Sequence, residues 1–264
     1  MGRNHRDGTG PVRIHIKLDT GMHRLGFDRE DLELLIRRLK ANASIEVASI
    51  FSHLAASEDP SEDPFTLRQI TELREMCGIL AGCIGPAFLS HILNSAGITR
   101  FPEAQMDMVR LGIGLYGVGF NEEEQSRLKN VSTLKTTISQ IKKIKAGETI
   151  GYNRKGIAGE DKTIAIVPIG YADGLNRRLG NGNGNVFIRG KPAPFIGNIS
   201  MDTAGIDLTR IPREPGDPEI REGDEVIVFG DGYPISKLAE ALGTIPYEIL
   251  TGISRRVKRI YFHE

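Results

Sequence analysis

The sequence contains no tryptophan and only two cysteines, and its formal net charge is zero. Cys77 and Cys83 are too few for a disulfide scaffold or a four-ligand zinc site, so we predict no metal centre. The 34 basic and 34 acidic side chains balance, which argues against nucleic acid or an anionic membrane as a partner. An aromatic content of 6% argues against an aromatic platform for carbohydrate or single-stranded nucleic acid.

Long apolar runs are also missing. No segment approaches the roughly 20 apolar residues of a membrane-spanning helix. The first ten residues, MGRNHRDGTG, lack the apolar core of a signal peptide. We therefore expect a cytoplasmic protein without a membrane partner.

The first half of the chain alternates predicted strands with predicted helices. Residues 12–19 show the apolar–polar alternation of a strand, and residues 28–42 carry apolar side chains at helical spacing. Regular alternation of this kind predicts a parallel sheet with crossover helices. We predict strands over 12–19, 44–53, 87–95 and 106–117, and helices over 28–42 and 64–82.

The pattern changes near residue 130, where short apolar segments lie between Gly, Pro, Asp and Asn turns. This pattern of short apolar segments and turns predicts a separate, mainly antiparallel β domain with one short helix over 235–243. The predicted strands cover 133–144, 162–171, 185–200, 201–208, 224–230 and 257–262.

Polar side chains lie at or near the C-terminal end of each predicted strand in the first half. The C-terminal ends of parallel barrel strands, with the loops that follow, form the active sites of (β/α) barrels. Four successive strands with this feature predict a shared site. The residues are Lys17, Asp19, Arg24, His53, Asn94, Ser95, Arg110 and Gly112.

Several longer motifs carry a resemblance to a known family. KLDTGMHRLGF (17–27), FSHLAAS (51–57), HILNSAGITRFP (91–102) and MVRLGIGLYG (108–117) resemble the barrel domain of bacterial alanine racemases. IGYN (150–153), VPIGYADGLNRRL (167–179) and GNISMDT (197–203) resemble the β domain of the same family, in the same order.

The resemblance implies an isomerase that interconverts L- and D-alanine with pyridoxal 5′-phosphate (PLP) and supplies D-alanine for peptidoglycan of the cell wall. It implies a homodimer with active sites shared between subunits. The implied fold is α/β plus all-β. Residues 1–128 would form the cofactor-binding C-terminal half of a (β/α)8 TIM barrel, about four βα units, and residues 129–264 the antiparallel β domain.

Within the barrel segment, the resemblance assigns the cofactor contacts. Ser95 and the backbone N–H groups of Gly112 and Ile113 match the family's phosphate cradle. Arg110 matches the arginine that faces the pyridine nitrogen, and because a guanidinium keeps its proton, that nitrogen should stay unprotonated. Arg24 matches the arginine near the phenolic oxygen of the cofactor and the substrate carboxylate.

Racemisation needs a base on each face of the substrate Cα. Tyr152 matches the tyrosine that serves one face from the partner subunit, and His53 matches the histidine that orients it. Lys17 matches a lysine that is often carbamylated in this family and would then hold Arg24.

Two loops of the β domain are implied at the substrate entrance. Tyr171 and Met201 match residues that contact the substrate carboxylate. Asp173 and Asp202 are either supporting groups of this site or caps of their own turns.

The resemblance also has gaps. The family's other base is the lysine that links covalently to PLP, in a motif like VKADAYGHG, and this motif does not occur in the sequence. DTGMHRLG, which belongs to the family's fifth strand, begins at residue 19, so we expect the first four βα units to be missing and the chain alone to be inactive. Arg255 stands where some members have a tyrosine, and pairing of Arg255 with a phosphate stays open.

Three alternatives remain at this point. The chain could be a non-catalytic fragment or half-enzyme that associates with a partner chain. It could be a racemase of serine or of broad specificity. A PLP-dependent decarboxylase of the same fold is disfavoured, because those enzymes place a carboxylate at the pyridine nitrogen, where this chain offers Arg110.

Overall fold

The computed structural model describes residues 10–212 and 214–262. These residues form two compact units. Unit 1 comprises the described residues up to Leu115 together with Gly119–Gln125, and unit 2 comprises Tyr116–Val118 and the described residues from Ser126 onward. Each unit contains its own β-sheet.

Unit 1 is built on a parallel sheet with the strand order β1-β2-β3. Lys17 on β1 pairs with Phe51 on β2, and Phe51 pairs with His91 on β3, so the C-terminal ends of the three strands lie side by side. Up to residue 127 the elements are β1 (Val12–Lys17), α1 (Leu32–Lys40), β2 (Ile45–Phe51), α2 (Asp63–Ile84), β3 (Leu89–His91), α3 (Ser95–Arg100) and α4 (Glu122–Arg127), with 3-10 turns at Arg29–Asp31, Pro60–Glu62, Pro102–Ala104 and Ile113–Tyr116.

The two crossover helices of unit 1 pack on one face of this sheet. Leu32 and Leu35 of α1 and Leu73 and Met76 of α2 are buried in one apolar cluster with Ile50 of β2. Each fully buried side chain of this kind contributes about 1.5–3 kcal/mol. This cluster fixes the sheet and therefore the relative positions of its strand ends.

The predicted fourth strand, 106–117, is wrong. Two backbone hydrogen bonds connect this segment to β3 and the residues just after it, one from the Asp107 N–H to the Ser90 carbonyl and one from the Arg110 N–H to the Leu93 carbonyl. The Asp107 carboxylate accepts from the Ser90 N–H at 2.8 Å and so replaces the next rung of a ladder. The described part of unit 1 therefore has three parallel strands, followed by a 3-10 turn at Ile113–Tyr116.

Unit 2 contains an antiparallel sheet of seven strands, in the order β4-β12-β9-β10-β11-β8-β5, and a separate β6-β7 hairpin. The predicted antiparallel β character is confirmed. Its elements are β4 (Leu134–Thr137), β5 (Gln140–Ile144), β6 (Thr149–Ile150), β7 (Gly156–Ile157), β8 (Lys162–Val167), β9 (Asn185–Ile188), β10 (Lys191–Ile196), β11 (Ala204–Asp207), β12 (Glu225–Phe229), α5 (Ile235–Leu242) and α6 (Pro246–Gly252), with 3-10 turns at Tyr152–Arg154, Tyr171–Asp173 and Arg177–Leu179.

The segments 133–144 and 185–200, each predicted as one strand, contain two strands each, β4 and β5 in the first and β9 and β10 in the second. Two further points need correction. The segment 257–262 is not a strand, because the Arg259 guanidinium donates to the carbonyls of Ile253, Ser254 and Val257 and so holds the chain in a turn. Helix α6 was not predicted, since its seven residues are too few to show a helical period. No helix among the described residues is both long enough and apolar enough to cross a membrane.

Candidate active site

The loop that follows β1 is folded around the carboxylate of Asp19. Oδ1 accepts the backbone N–H groups of Gly21, Met22 and His23 at 2.9–3.1 Å, and Oδ2 accepts that of Arg24 at 3.2 Å. Burial works to raise the pKa of Asp19, but the hydrogen bonds from the N–H groups of Gly21, His23 and Met22, together with the charge of Lys17, outweigh it, and the pKa lies below its ordinary value. Asp19 is therefore ionised at neutral pH and holds the turn that carries Arg24.

The same loop returns to the strand end at Gly26. This glycine has a φ of +132°, and a Cβ on it would lie 2.8 Å from the Asp19 nitrogen. The Lys17 amine donates to the carbonyl oxygen of Leu25, next to Arg24, whose side chain is exposed. The structure thus brings Lys17, at the end of β1, next to the loop that carries Arg24, and Lys17 contacts this loop at the backbone carbonyl of Leu25.

Arg110 is the centre of the strand-end cluster in unit 1. Its Nη2 donates to the carbonyl oxygens of Ser52 (2.7 Å) and Ile92 (3.1 Å) and lies 3.1 Å from Nδ1 of His53. Its Nη1 lies against Nδ1 of His91. The guanidinium carbon is 5.3 Å from the centroid of Phe51, which adds a cation–π contact.

These contacts determine the proton positions on both histidines. A guanidinium has five donors and no acceptor, so Nδ1 of His53 and Nδ1 of His91 must both accept. Each neutral ring then carries its proton on Nε2. His53 therefore presents an N–H donor on the side of the ring away from Arg110.

The electrostatic environment keeps both rings neutral. Burial lowers the pKa of His53, and the charges of Arg110, Arg24 and Lys17 lower it further. Burial, then Arg110 and His15, lower the pKa of His91 to about 4. Burial also lowers the pKa of Arg110 from its ordinary value.

The pKa of His91 gives a testable pH dependence. Because the folded value lies below the unfolded value of about 6.5, neutral His91 contributes stability that is present above pH 6.5 and is lost as the pH falls towards 4. A histidine NMR titration of the protein, assigned with His91→Gln, should show a midpoint near pH 4 for this ring. A midpoint at or above 6.5 would contradict the assignment of His91 as a buried acceptor.

A second cluster in unit 1 is formed by backbone donors around Ser95. The buried Ser95 hydroxyl accepts the N–H of Gly112 at 2.9 Å and that of Gly114 at 3.3 Å. Ile113, between them, is buried and begins a 3-10 turn. Converging backbone N–H groups beside a hydroxyl form the kind of concavity that holds a phosphate.

In unit 2, Tyr152 lies on the β6-β7 hairpin. Its carbonyl oxygen accepts from Nδ2 of Asn198 at 3.0 Å, and Asn198 accepts in turn from Asn181 at 2.9 Å. The next residues, Asn153 and Arg154, have φ values of 56° and 54°, which is sparsely populated backbone for non-glycine residues. Tyr152 is 68% exposed, so its ring is presented on a constrained turn.

The loops of Tyr171 and Met201 are joined by backbone hydrogen bonds. Tyr171 donates to the Ser200 carbonyl and Ala172 to the Met201 carbonyl, both at 3.0 Å. The two side chains are exposed. The structure therefore brings Tyr171 and Met201 together on one face of unit 2.

Arg256 links the loop of Tyr171 to the loop of Met201 through one carboxylate on each. Its Nε donates to Asp173 at 2.6 Å and its Nη2 donates to Asp202. Asp173 also accepts the Gly170 N–H at 2.8 Å, so it is both a turn cap and an ion-pair partner. Burial opposes ionisation of Asp173, but the contacts to Arg256 and Gly170 bring its pKa below the ordinary value.

Sequence reasoning missed His91, Asn198 and Arg256, and it also missed Ser49, whose hydroxyl oxygen lies 3.2 Å from Nε2 of His91. His91 opens the motif HILNSAGITRFP, Asn198 lies in GNISMDT and Arg256 in SRRVKRIYF, yet none was assigned a role. Ser49 lies in the middle of β2, where a serine gives no signal of its own. A polar residue at the inward position of a strand end, as for His91, is the signal that could have found one of them.

Comparisons with known proteins agree with these motifs. Residues 3–119 match the family model described as alanine racemase, N-terminal domain, and residues 131–261 match alanine racemase, C-terminal domain. Alanine racemase of Aeromonas hydrophila is 36% identical over 255 residues, which is 95% of this chain and 68% of that protein. Alanine racemase 2 of Caldanaerobacter subterraneus is 39% identical over 260 residues, which is 96% of this chain and 65% of the relative.

Solved structures give the same result. Alanine racemase from Streptomyces lavendulae superimposes with a TM-score of 0.85 at 30% identity, covering 97% of this chain and 67% of that one. Alanine racemase from Bartonella henselae with covalently bound pyridoxal phosphate gives a TM-score of 0.82 at 34% identity, covering 95% and 66%. The chain spans 65% of the length of the Caldanaerobacter relative. In its fold, a barrel-type N-terminal domain followed by an antiparallel β domain, and in its sequence, the chain belongs to the alanine racemase family.

Proposed function

We propose that this chain supplies the phosphate cradle and the pyridine-facing arginine of a PLP-dependent alanine racemase, which interconverts L- and D-alanine. The observation that carries the proposal is the Ser95 cluster, with the N–H groups of Gly112 and Gly114 converging on one hydroxyl in the same unit as Arg110. A ligand that combines a phosphate with a neutral nitrogen acceptor fits this set of donors.

The cradle fits a phosphate because its donors come from the backbone. Gly112 has no side chain that would block an anion, and its N–H, which donates to the Ser95 hydroxyl in this structure, would turn to the phosphate. Ser95 adds a hydroxyl donor, and the N–H of Ile113 belongs to the same turn. When bound, PLP would withdraw electrons from the substrate Cα so that its proton can leave.

Arg110 and His53 would act as one unit. Arg110 keeps its proton and would face the pyridine nitrogen, which then accepts a hydrogen bond without being protonated. The same guanidinium lies 3.1 Å from Nδ1 of His53 and fixes the Nε2–H tautomer. His53 would thus donate a hydrogen bond to the phenol oxygen of Tyr152 and favour its deprotonated form.

Tyr152 would serve as the base on one face of the substrate Cα. A free tyrosine has a pKa of about 10 and is a weak base at neutral pH, so a donor such as His53 is needed. We place Arg24, Tyr171 and Met201 around the substrate carboxylate. Carbamylation of Lys17 would turn its amine into an anionic acceptor for Arg24, in exchange for the present contact with Leu25.

We further propose that the complete enzyme is a homodimer in which Tyr152, Tyr171 and Met201 serve the partner's barrel. The motif with the family's covalent lysine is not in this sequence, and the chain spans 65% of its relative. We therefore expect no racemisation by the isolated chain. The second candidate, a half-enzyme that needs a partner chain, rests on the same absence of the lysine.

The test is a PLP titration of the purified chain, followed by absorbance and mass spectrometry after borohydride treatment. We expect reversible binding without a covalent lysine adduct, and no conversion of L-alanine above the buffer rate. Ser95→Ala removes the hydroxyl donor of the cradle and should weaken PLP binding by about tenfold or more, since hydrogen bonds to charged groups contribute about 1.5–3 kcal/mol.

The matched control is Ser44→Ala, an exposed serine distant in sequence from the cradle, which should bind PLP like the wild type. Equal PLP affinity in the wild type and in Ser95→Ala would refute the cradle. A borohydride-reduced lysine adduct, or racemisation by the chain alone, would overturn the expectation that the covalent base is missing.

A further inference from the structure

A row of polar side chains crosses the sheet of unit 1 next to Arg110, and the proposed function leaves it unused. Nε2 of His91 lies 3.2 Å from the hydroxyl oxygen of Ser49, and that oxygen lies 2.7 Å from Nδ1 of His15. Ser49 is directly paired with His15 across β1 and β2. Ser49 is 1% and His91 4% exposed, whereas His15 is exposed.

The direction of every hydrogen bond in this row follows from Arg110. Because Arg110 can only donate, Nδ1 of His91 accepts and its Nε2 carries the proton. That N–H donates to the Ser49 oxygen. The buried hydroxyl proton of Ser49 is then directed to Nδ1 of His15, the acceptor at 2.7 Å, because an unpaired buried donor costs about 1–3 kcal/mol.

Stacking alone does not determine the orientation of His91. Its ring lies parallel to Phe51, with a centroid distance of 5.1 Å and an interplanar angle of 3°. A ring turned by 180° about the Cβ–Cγ bond would stack equally well, but it would present a carbon instead of Nδ1 to Arg110. The turned ring would also present a carbon to Ser49, so the contacts with Arg110 and Ser49 together select the observed orientation.

We propose that Ser49 and His15 are positioning residues, which fix the ring of His91 and thereby the direction of the Arg110 guanidinium. This inference rests on the proposed function in one respect, since there Arg110 faces the pyridine nitrogen. Removing the Ser49 hydroxyl frees the ring to turn, and Arg110 then loses one of its fixed acceptors.

The first readout does not depend on cofactor or activity. In the ¹⁵N-labelled protein, the Nε–H signal of Arg110 and the Nε2–H signal of His91 should exchange slowly with water. Ser49→Ala should speed exchange of both protons at least fivefold, and Ser49→Thr, which keeps the hydroxyl, should restore the slow exchange. His15→Ala removes the last acceptor at an exposed position and should have a smaller effect in the same direction.

The second readout is the dissociation constant of PLP, which Ser49→Ala should raise about fivefold, the equivalent of one hydrogen bond. The control is Ser90→Ala, whose hydroxyl bonds Asp107 instead of the row and should change neither readout. Exchange rates and PLP affinity of Ser49→Ala within twofold of wild type would overturn the proposal. If no variant binds PLP, the proposed function fails, while the exchange rates still decide the role of Ser49 and His15.

Discussion

Replacing Gly170 by alanine is expected to lower the free energy of unfolding of unit 2 by about 3 kcal/mol or more, at the upper end for overpacked sites. The new Cβ would fall on the backbone carbonyl groups of Met201 and Ser200, well inside van der Waals contact. Neither carbonyl can withdraw, because Tyr171 and Ala172 donate to them at 3.0 Å. The two loops must therefore separate.

Gly170→Ala should first disturb the two loops that meet at the new Cβ and, as a consequence, lower the stability of unit 2 as a whole. Backbone amides of Tyr171 and Ala172 should lose most of their protection in hydrogen exchange, and urea unfolding followed by tyrosine fluorescence should shift to lower urea. Gly159→Ala is the control, because its Cβ would meet nothing within 4 Å and a compatible Gly→Ala change stabilises by about 0.4–1 kcal/mol. Unchanged protection at Tyr171 in Gly170→Ala would contradict the prediction, because the two loops would then have accommodated the new Cβ without separating.

Arg110→Met should be the most damaging change in unit 1. Methionine keeps much of the apolar stem but removes every donor, which leaves the carbonyls of Ser52 and Ile92 and Nδ1 of two histidines without their partner. Each buried group left unpaired costs about 1–3 kcal/mol, so we expect a loss of about 3 kcal/mol or more. The pKa values of His53 and His91 should both rise, because the charge of Arg110 lowers each of them.

Histidine NMR titration and urea unfolding measure these two effects separately. Arg37→Met is the matched control, since the Arg37 side chain is 69% exposed and its ion pair with Glu33 is long, at 3.9 Å. Surface pairs of this kind contribute about 0–1 kcal/mol. Wild-type stability and an unshifted His91 titration in the Arg110→Met protein would show that the strand-end cluster does not need the guanidinium for its stability.

Local pattern sufficed for most of the fold. The apolar spacing at Leu32 and Leu35 predicted α1, and the alternation in 12–19 predicted β1, because each pattern reflects burial of one face. The segment 106–117 has an equally apolar pattern but is not a strand. There, the Asp107 carboxylate takes the Ser90 N–H, a long-range contact that no local pattern contains.

The residues of the candidate site also fall into two groups, those that the motifs identify and those that depend on contacts between distant segments. Motifs identified Arg110, His53 and Ser95 by residue type and order, and the structure adds which atoms meet. His91 and Arg256 were not assigned, because their partners Ser49, Asp173 and Asp202 lie 42, 83 and 54 residues away in sequence. Their roles are set by contacts between strands and loops, which sequence order alone does not specify.

The family, the strand–helix order of unit 1 up to β3 and the residue types available for chemistry follow from the sequence alone, because they depend on local periodicity and on motifs of consecutive residues. The directions of the hydrogen bonds, in contrast, follow from tertiary contacts. Arg110 donates to His53 and His91 because the parallel register brings three strand ends side by side, and Arg256 joins Asp173 to Asp202 because two loops share backbone hydrogen bonds. Such contacts depend on the packing of distant segments, and a guanidinium placed among them allows only one assignment of donors and acceptors.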